Sequence, residues 1–134
     1  MIVADTNLVA YLLIEGEKTA LARAVWSRDS QWMLPTFWRS EFLNVLAASI
    51  RARVLTREQA RERWHRALTL FGAHEVETSG DEILDIANER GVSAYDAQFV
   101  AVAIRLDAPL VTSDRRLLTA CPDLATAPDR FARV

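Results

Sequence analysis

The sequence predicts an α/β fold in which a mainly parallel sheet is covered by helices on both faces. Two observations support this prediction. Short apolar runs suited to strands alternate with helical patterns, which is typical of parallel α/β domains. The first run, Ile2 to Ala4, is too short for a helix and apolar at every position, as strands buried on both faces are. The 134 residues, of which 51% are hydrophobic, suffice for one domain with its own core.

The N-terminal half alternates strands with helices and then forms a helical hairpin. Strands are predicted at residues 2–4 and at 31–34, the second closed by Pro35. Helices are predicted at residues 8–14, 19–28, 36–53 and 57–71. Thr56 and Gln59 have the spacing of a capping box, so we expect the fourth helix to begin there and to pair with the third.

The C-terminal half continues the alternation. Strands are expected at residues 74–77, 108–112 and 124–127, the last with a weak β signal. Helices are expected at residues 79–90, 94–106 and 114–119. A second capping box at Ser79 and Glu82, a C-terminal Gly91 and a cap at Ser93 define their ends. No repeat or linker interrupts the pattern, so we expect a single domain over residues 1–134.

Composition excludes several classes of protein. No apolar run approaches the ~20 residues of a membrane span, and no signal peptide is recognisable, so a cytoplasmic protein is expected. The single cysteine, Cys121, excludes an internal disulfide and a cysteine-rich zinc site. A net charge of −2 argues against a strongly basic nucleic-acid binder but not against a nucleic-acid enzyme with local positive patches. Lys18 is the sole lysine, so almost all positive charge is arginine, which binds phosphate bidentately.

Four acidic residues occupy positions where a fold of this class places its chemistry. Asp5 and Asp114 follow predicted strands, Asp96 lies in the first turn of the helix after Ser93, and Glu41 shares a helix stripe with Trp38, Val45 and Ala48. Caps and helix-dipole contacts are the simpler explanation for each aspartate taken alone. Glu41 has no such explanation, although the preceding arginine offers a partial partner. If the first strand neighbours the strand before Asp114, the three aspartates lie together at the switch point of the sheet.

A cluster of carboxylates needs compensation. Two carboxylates 4 Å apart repel by about 4 kcal/mol at an effective dielectric constant near 20, so the cluster requires a bound cation or retained protons. Oxygen ligands without histidine or cysteine favour hard ions such as Mg²⁺ or Mn²⁺. Mg²⁺ keeps several waters, and one of these can attack a phosphodiester.

With these residues in place, the sequence resembles the PIN-domain ribonucleases, and in particular the VapC-type toxins of bacterial toxin–antitoxin pairs. The resemblance covers essentially the whole chain. It is carried by Ile2-Val3-Ala4-Asp5-Thr6-Asn7, Ser40-Glu41-Phe42, the helix from Ser93 to Ala103 that contains Tyr95-Asp96-Ala97, and Leu110-Val111-Thr112-Ser113-Asp114-Arg115-Arg116-Leu117.

The resemblance implies a three-layer α/β/α sandwich with a sheet of four or five strands, and Mg²⁺- or Mn²⁺-dependent endonucleolytic cleavage of RNA. In that scheme Asp5, Asp96 and Asp114 ligate metal, and Glu41 orients a water or helps to hold a metal. The implied supporting donors are Thr6, Asn7, Thr112 and Ser113. Arg115 and Arg116 are implied to bind substrate phosphate, although a solvated helix face explains them equally well. The implied partners are an RNA substrate, an antitoxin of a type II toxin–antitoxin system and a second copy of the chain.

Two other functions remain open at this point: a nuclease that acts on single-stranded or structured DNA, and a PIN-like module that binds RNA without cutting it. The presence of all four acids argues against the second. Among the aromatic residues, Trp26 and Trp32 are expected in the core. Phe37, Trp38 and Trp64 are expected on the helical hairpin, where an apolar patch would suit a subunit or partner.

Overall fold

The fold is organised around one parallel sheet. The computed structural model describes residues 1–133, and its sheet has five strands in the order β3-β2-β1-β4-β5, every neighbouring pair parallel. The strands are β1 Ile2–Ala4, β2 Trp32–Pro35, β3 Glu75–Val76, β4 Leu110–Val111 and β5 Ala125–Thr126. From β1 the chain first builds outward through β2 and β3 and then returns to the other side of β1 for β4. The boundary between β1 and β4 is therefore the topological switch point of the sheet.

Helices cover both faces of the sheet and complete a three-layer α/β/α sandwich, as expected. The helices are α1 Thr6–Leu13, α2 Thr19–Arg28, α3 Trp38–Arg51, α4 Arg57–Phe71, α5 Gly80–Arg90, α6 Ala94–Leu106, α7 Arg115–Ala120 and α8 Pro128–Arg133. The core over α1–α4 and α8 receives Ile2 and Ala4 of β1, whereas the core over α5–α7 receives Val3. All three side chains are fully buried, because the strand period of two sends neighbours to opposite faces and both faces are covered.

Local signals in the sequence define several helix ends. Both sides of the capping boxes at Thr56 and Ser79 are formed, and Gly91 ends α5 with a φ of +66°, a left-handed conformation that glycine adopts without a steric penalty. At the start of α6, Ser93 Oγ accepts a hydrogen bond from the backbone N–H of Asp96.

The structure corrects three details of the expected elements. Helix α3 begins at Trp38 and not at Thr36, because Thr36 and Phe37 form the turn that precedes it, with Phe37 as the N-cap residue. The last three strands are shorter than predicted, with two residues each. The terminal helix α8 was not predicted. It begins at Pro128, which suits the first turn of a helix.

The aromatic residues of the hairpin are divided between two environments. Trp38 is fully buried and packs against Phe42, Trp64 and Phe71, so its expected place in a surface patch was wrong. Trp64 lines an apolar groove of about 410 Å³ between α3 and α4, together with Leu43, Leu46, Ala47, Ile50, Arg57, Ala60 and Arg61. Over the described part of the chain, no helix has the length and apolar character needed to span a membrane.

Candidate active site

Asp5 is placed by the end of β1. Its backbone N–H continues the sheet by donating to the carbonyl of Val111 in β4 at 3.1 Å, and α1 begins at the next residue. The side chain is only 8% exposed. Its Oδ2 accepts a hydrogen bond of 2.6 Å from Thr112 Oγ1, which lies 107 residues further along the chain and is fully buried. The same hydroxyl accepts the backbone N–H of Asp114 at 3.0 Å, so Thr112 connects the two acids that follow the central strands.

The other three acids each lie at the start of a helix whose N-terminus faces this edge of the sheet. Asp114 caps α7, its Oδ1 accepting the backbone N–H of Arg116 at 2.8 Å. Asp96 lies in the first turn of α6, and Glu41 lies in the first turn of α3. Glu41 Oε1 accepts a hydrogen bond of 2.7 Å from Thr6 Oγ1 in α1, which ties α3 to the end of β1.

The structure brings all four acids to one cavity of about 210 Å³, hereafter the acidic cavity. It is lined by Asp5, Thr6, Asn7, Glu41, Asn44, Val45, Asp96 and Asp114. Asn44 was missed in the sequence. It lies three residues after Glu41 on α3, and side chains three apart share a helix face, so the spacing was the available signal.

Burial and mutual repulsion determine the electrostatics of the cavity. Burial raises the pKa of Asp5, and the charges of Asp96 and Asp114 raise it further, against the hydrogen bonds from Thr112 and the backbone of Thr6. Burial likewise raises the pKa of Glu41, with Asp5 and Asp96 adding to the effect and Thr6 opposing it. The pKa of Asp96 is raised by burial and by Asp114, against Ser93 and the positive charge of Arg116. The carboxylates are thus close enough to disfavour one another's charge.

Within residues 1–133, no basic residue, whether arginine, lysine or histidine, forms an ion pair with any of these acids. Arg39, the expected partial partner of Glu41, pairs with Glu75 of β3. Arg115 and Arg116 are exposed in the first turn of α7 and, over residues 1–133, take part in no ion pair. Of these two arginines, Arg116 is the one whose positive charge lowers the pKa of Asp96.

Two of the expected environments differ in detail. The stripe assigned to Glu41 was wrong at Ala48, which is exposed, whereas Val45 lines the acidic cavity beside Glu41. The buried face of α3 consists of Trp38, Phe42 and Leu46. Glu41 therefore lies at the margin of the buried face, where it can open into the cavity. Asn7 is exposed and lines the cavity, whereas Ser113 is half-buried and lies outside the lining residues.

The donor set of the cavity suits a hard divalent cation, because it offers carboxylate, hydroxyl and amide oxygens without histidine or cysteine. The carboxylates are not preassembled as ligands: within residues 1–133, no three Asp, Glu, His or Cys side chains form a ready cluster for a metal ion. Three of them instead accept the hydrogen bonds from Thr112, Thr6 and the backbone of Arg116. A cation would have to draw these oxygens together. Its binding would be favoured because it would relieve the mutual repulsion of the acids.

Together the fold and the cavity define a class: parallel α/β proteins whose site lies at the carboxyl ends of the central strands, at the switch point. Within that class, the model of the PIN domain family matches residues 2–121, so the chain belongs to the PIN domain family.

Relatives of known name or structure span nearly the whole chain. Ribonuclease VapC3 of Pyrobaculum aerophilum is 27% identical over 128 residues, which cover 93% of this chain and 98% of the relative. The crystal structure of PAE2754 from Pyrobaculum aerophilum superposes with a TM-score of 0.77 at 22% identity, covering 98% of this chain and 86% of that one. The crystal structure of FitAcB from Neisseria gonorrhoeae gives a TM-score of 0.69 at 19% identity, covering 96% and 98%. At these identities the two structures show the shared fold.

Proposed function

We propose that the protein is a Mg²⁺- or Mn²⁺-dependent endoribonuclease that acts as the toxin of a type II toxin–antitoxin system. The observation that carries the proposal is the convergence of Asp5, Glu41, Asp96 and Asp114 on one cavity, where no described basic residue forms an ion pair with them. Membership of the PIN domain family and the name of the relative Ribonuclease VapC3 support the choice of RNA cleavage. An RNA-cleaving role would have the protein act in the cytoplasm.

In this proposal Asp5, Asp96 and Asp114 hold the cation, with Glu41 as a further oxygen donor. The bound cation would supply an activated water and would stabilise negative charge on the phosphate. Thr112 orients the Asp5 carboxylate through Oδ2 and fixes the backbone of Asp114, as supporting donors do for ligands.

Glu41 is suited to handle a proton. Its Oε1 is held by Thr6, and its Oε2 has no hydrogen-bond donor among the described residues, so this oxygen can accept a proton from water in the cavity. Arg116, exposed beside Asp96, is the better placed of the two arginines to bind a substrate phosphate.

The test is incubation of the protein with total tRNA, rRNA and mRNA, with Mg²⁺ and with excess chelator, followed by mapping of the new ends. We expect discrete cleavage sites that require the metal and vanish in Asp5→Asn. A matched control, Asp123→Asn, removes an exposed acid that is paired with Arg90 and should leave cleavage intact. A parallel incubation with single-stranded DNA tests the alternative of a DNA nuclease. Binding of RNA without cleavage would indicate the alternative of a PIN-like RNA-binding module.

The toxin role needs a separate test, since it concerns partners. We propose that a small antitoxin inhibits the protein and that the chain forms a homodimer. The name of the relative Ribonuclease VapC3 supports the first part. Expression of this chain should arrest growth, and co-expression of the neighbouring reading frame should relieve the arrest. Sedimentation of the purified chain should give twice the mass of 15.1 kDa. Growth that continues at full expression of a cleavage-competent chain would exclude the toxin role.

A further inference from the structure

Two aromatic rings stack at the start of the helices that carry Glu41 and Asp96. Tyr95 directly precedes Asp96 in α6, and Phe37 is the N-cap residue of α3, four positions before Glu41. Their ring centroids are 5.0 Å apart and the ring planes differ by 16°. This face-to-face contact bridges two elements of the candidate active site.

The two rings differ in burial. Phe37 is partly buried and packs against the core beneath α5–α7, so its position is fixed by the fold. Tyr95 is 61% exposed, although a large aromatic side chain gains free energy from burial. One face of the Tyr95 ring is covered by Phe37, while more than half of the residue is open to solvent. The ring is therefore held in a defined orientation with a surface still available for stacking.

We propose that Phe37 and Tyr95 form a stacking platform for one nucleobase of a single-stranded RNA substrate, next to the phosphate that enters the acidic cavity. The proposal rests on the proposed ribonuclease function. Aromatic side chains bind unpaired bases by stacking, with little dependence on the base, because every base has a π-face. Paired bases inside a duplex have both faces covered by their neighbours, so the platform selects single strands. Phe37 supplies no contact to the base and acts by positioning Tyr95.

Binding is measured apart from cleavage in an Asp5→Asn background. The probes are oligouridylate 12-mers, each with one 2-aminopurine at a different position, whose fluorescence falls when the base stacks. We expect quenching at one position, and Tyr95→Ala should abolish it and weaken binding about tenfold, within the range for loss of one stacked base. Tyr95→Phe keeps the ring and should retain both signals. Phe37→Leu keeps the core filled and should reduce the quenching.

The matched control is Ile104→Ala, which removes an exposed apolar side chain from the same helix. Residue 104 lies nine residues further along, about 14 Å at 1.5 Å per residue, so binding and quenching should be unchanged. A duplex of the same probe should show no Tyr95-dependent quenching.

Three results would overturn the platform. The first is equal affinity and quenching in Tyr95→Ala and the parent. The second is the absence of measurable binding of the single strand to the parent. The third is unchanged RNA binding in Tyr95→Ala with an altered sedimentation coefficient, which would identify the rings as a contact between proteins. If the protein with Asp5 intact cleaves no RNA but the binding assay still shows Tyr95-dependent quenching, the platform is supported and only the proposed ribonuclease function is refuted.

Discussion

The acids of the cavity and the acids of the periphery differ in whether they form ion pairs. At the periphery, Arg90 holds Asp123 with two hydrogen bonds of 2.7 and 3.0 Å, and Arg39 and Arg105 pair with Glu75 and Glu82. In the acidic cavity, four carboxylates share a space of about 210 Å³, and none of them pairs with a base within the described residues. The chain has 16 lysine and arginine residues against 18 acidic residues, but among residues 1–133 none of these bases forms an ion pair with an acid of the cavity.

The pKa shifts of the two groups differ in the same way. Arg90 lowers the pKa of Asp123, whereas burial and neighbouring acids raise the pKa of Asp5, Glu41 and Asp96. A raised carboxyl pKa means that the ionised form costs stability at neutral pH. Stability therefore does not explain why these acids lie together in the cavity, and they need a function such as cation binding.

The largest expected effect is on catalysis. Asp5→Asn and Asp96→Asn should each reduce RNA cleavage by more than about a hundredfold, because even partners of metal ligands cost 10–100-fold when removed. The measurement is the initial rate on a mapped RNA with Mg²⁺ at saturation. Asp123→Asn is the peripheral control and should cleave at the parental rate. Equal rates for all three variants would remove the distinction between the two groups of acids.

A smaller effect is expected when the acids remain and their support is removed. Thr112→Val keeps the shape of the side chain and deletes the hydroxyl that connects Asp5 with the backbone of Asp114. Cleavage should fall about 10–100-fold. Unfolding in urea should show a loss of about 1 kcal/mol, since the partly buried N–H of Asp114 loses its acceptor. Thr119→Val, at an exposed position of α7, should change neither quantity.

A stability measurement without metal tests the cost of the cavity. Asp5→Asn should raise the free energy of unfolding at pH 7 in chelator, because burial and the charges of Asp96 and Asp114 disfavour the ionised Asp5 carboxylate. The folded-state pKa of Asp5 lies above its unfolded value, so the parent regains this free energy as the pH falls through that raised pKa. The advantage of the variant should therefore shrink in acid. A variant less stable than the parent at pH 7 would contradict the assigned repulsion.

The smallest effect is expected at the periphery. Asp123→Asn breaks an exposed ion pair and should lower the stability slightly, by less than Asp5→Asn raises it. Because the pKa of Asp123 is lowered in the folded state, this loss should be present at neutral pH and fade as the pH falls through the acid range. Urea unfolding at several pH values measures both trends, and the two variants should have opposite signs.

Much of the fold followed from local chemistry, and the meeting of two of the acids followed from the topology of the sheet. The apolar run of β1, the capping boxes of α4 and α5 and the bounds of α2 and α6 were predicted, because each depends on neighbours in the chain. The meeting of Asp5 with Asp114 followed from topology, since the switch point brings β1 beside β4. The catalytic roles of the four acids stay predictions.

Features that depend on tertiary packing were missed. The pattern of α3 did not show which face is buried, so Glu41 was assigned to a stripe with Ala48, and Asn44 was overlooked. Trp38 was expected at the surface, but the contact of its ring with Phe71 of α4 is set by the hairpin. The short helix α8 is stabilised by packing of Phe131 against the core around α1 and α2, which its own sequence does not reveal.

The most direct test is a calorimetric titration of Mn²⁺ into the parent, Asp96→Asn and Asp123→Asn at neutral pH, in the absence of RNA. If distant acids meet in order to hold a divalent cation, the parent and Asp123→Asn should bind Mn²⁺ at one or two saturable sites, and Asp96→Asn should lose at least one of them. Binding that is equal in Asp96→Asn and the parent, or no binding to the parent at all, would contradict this account.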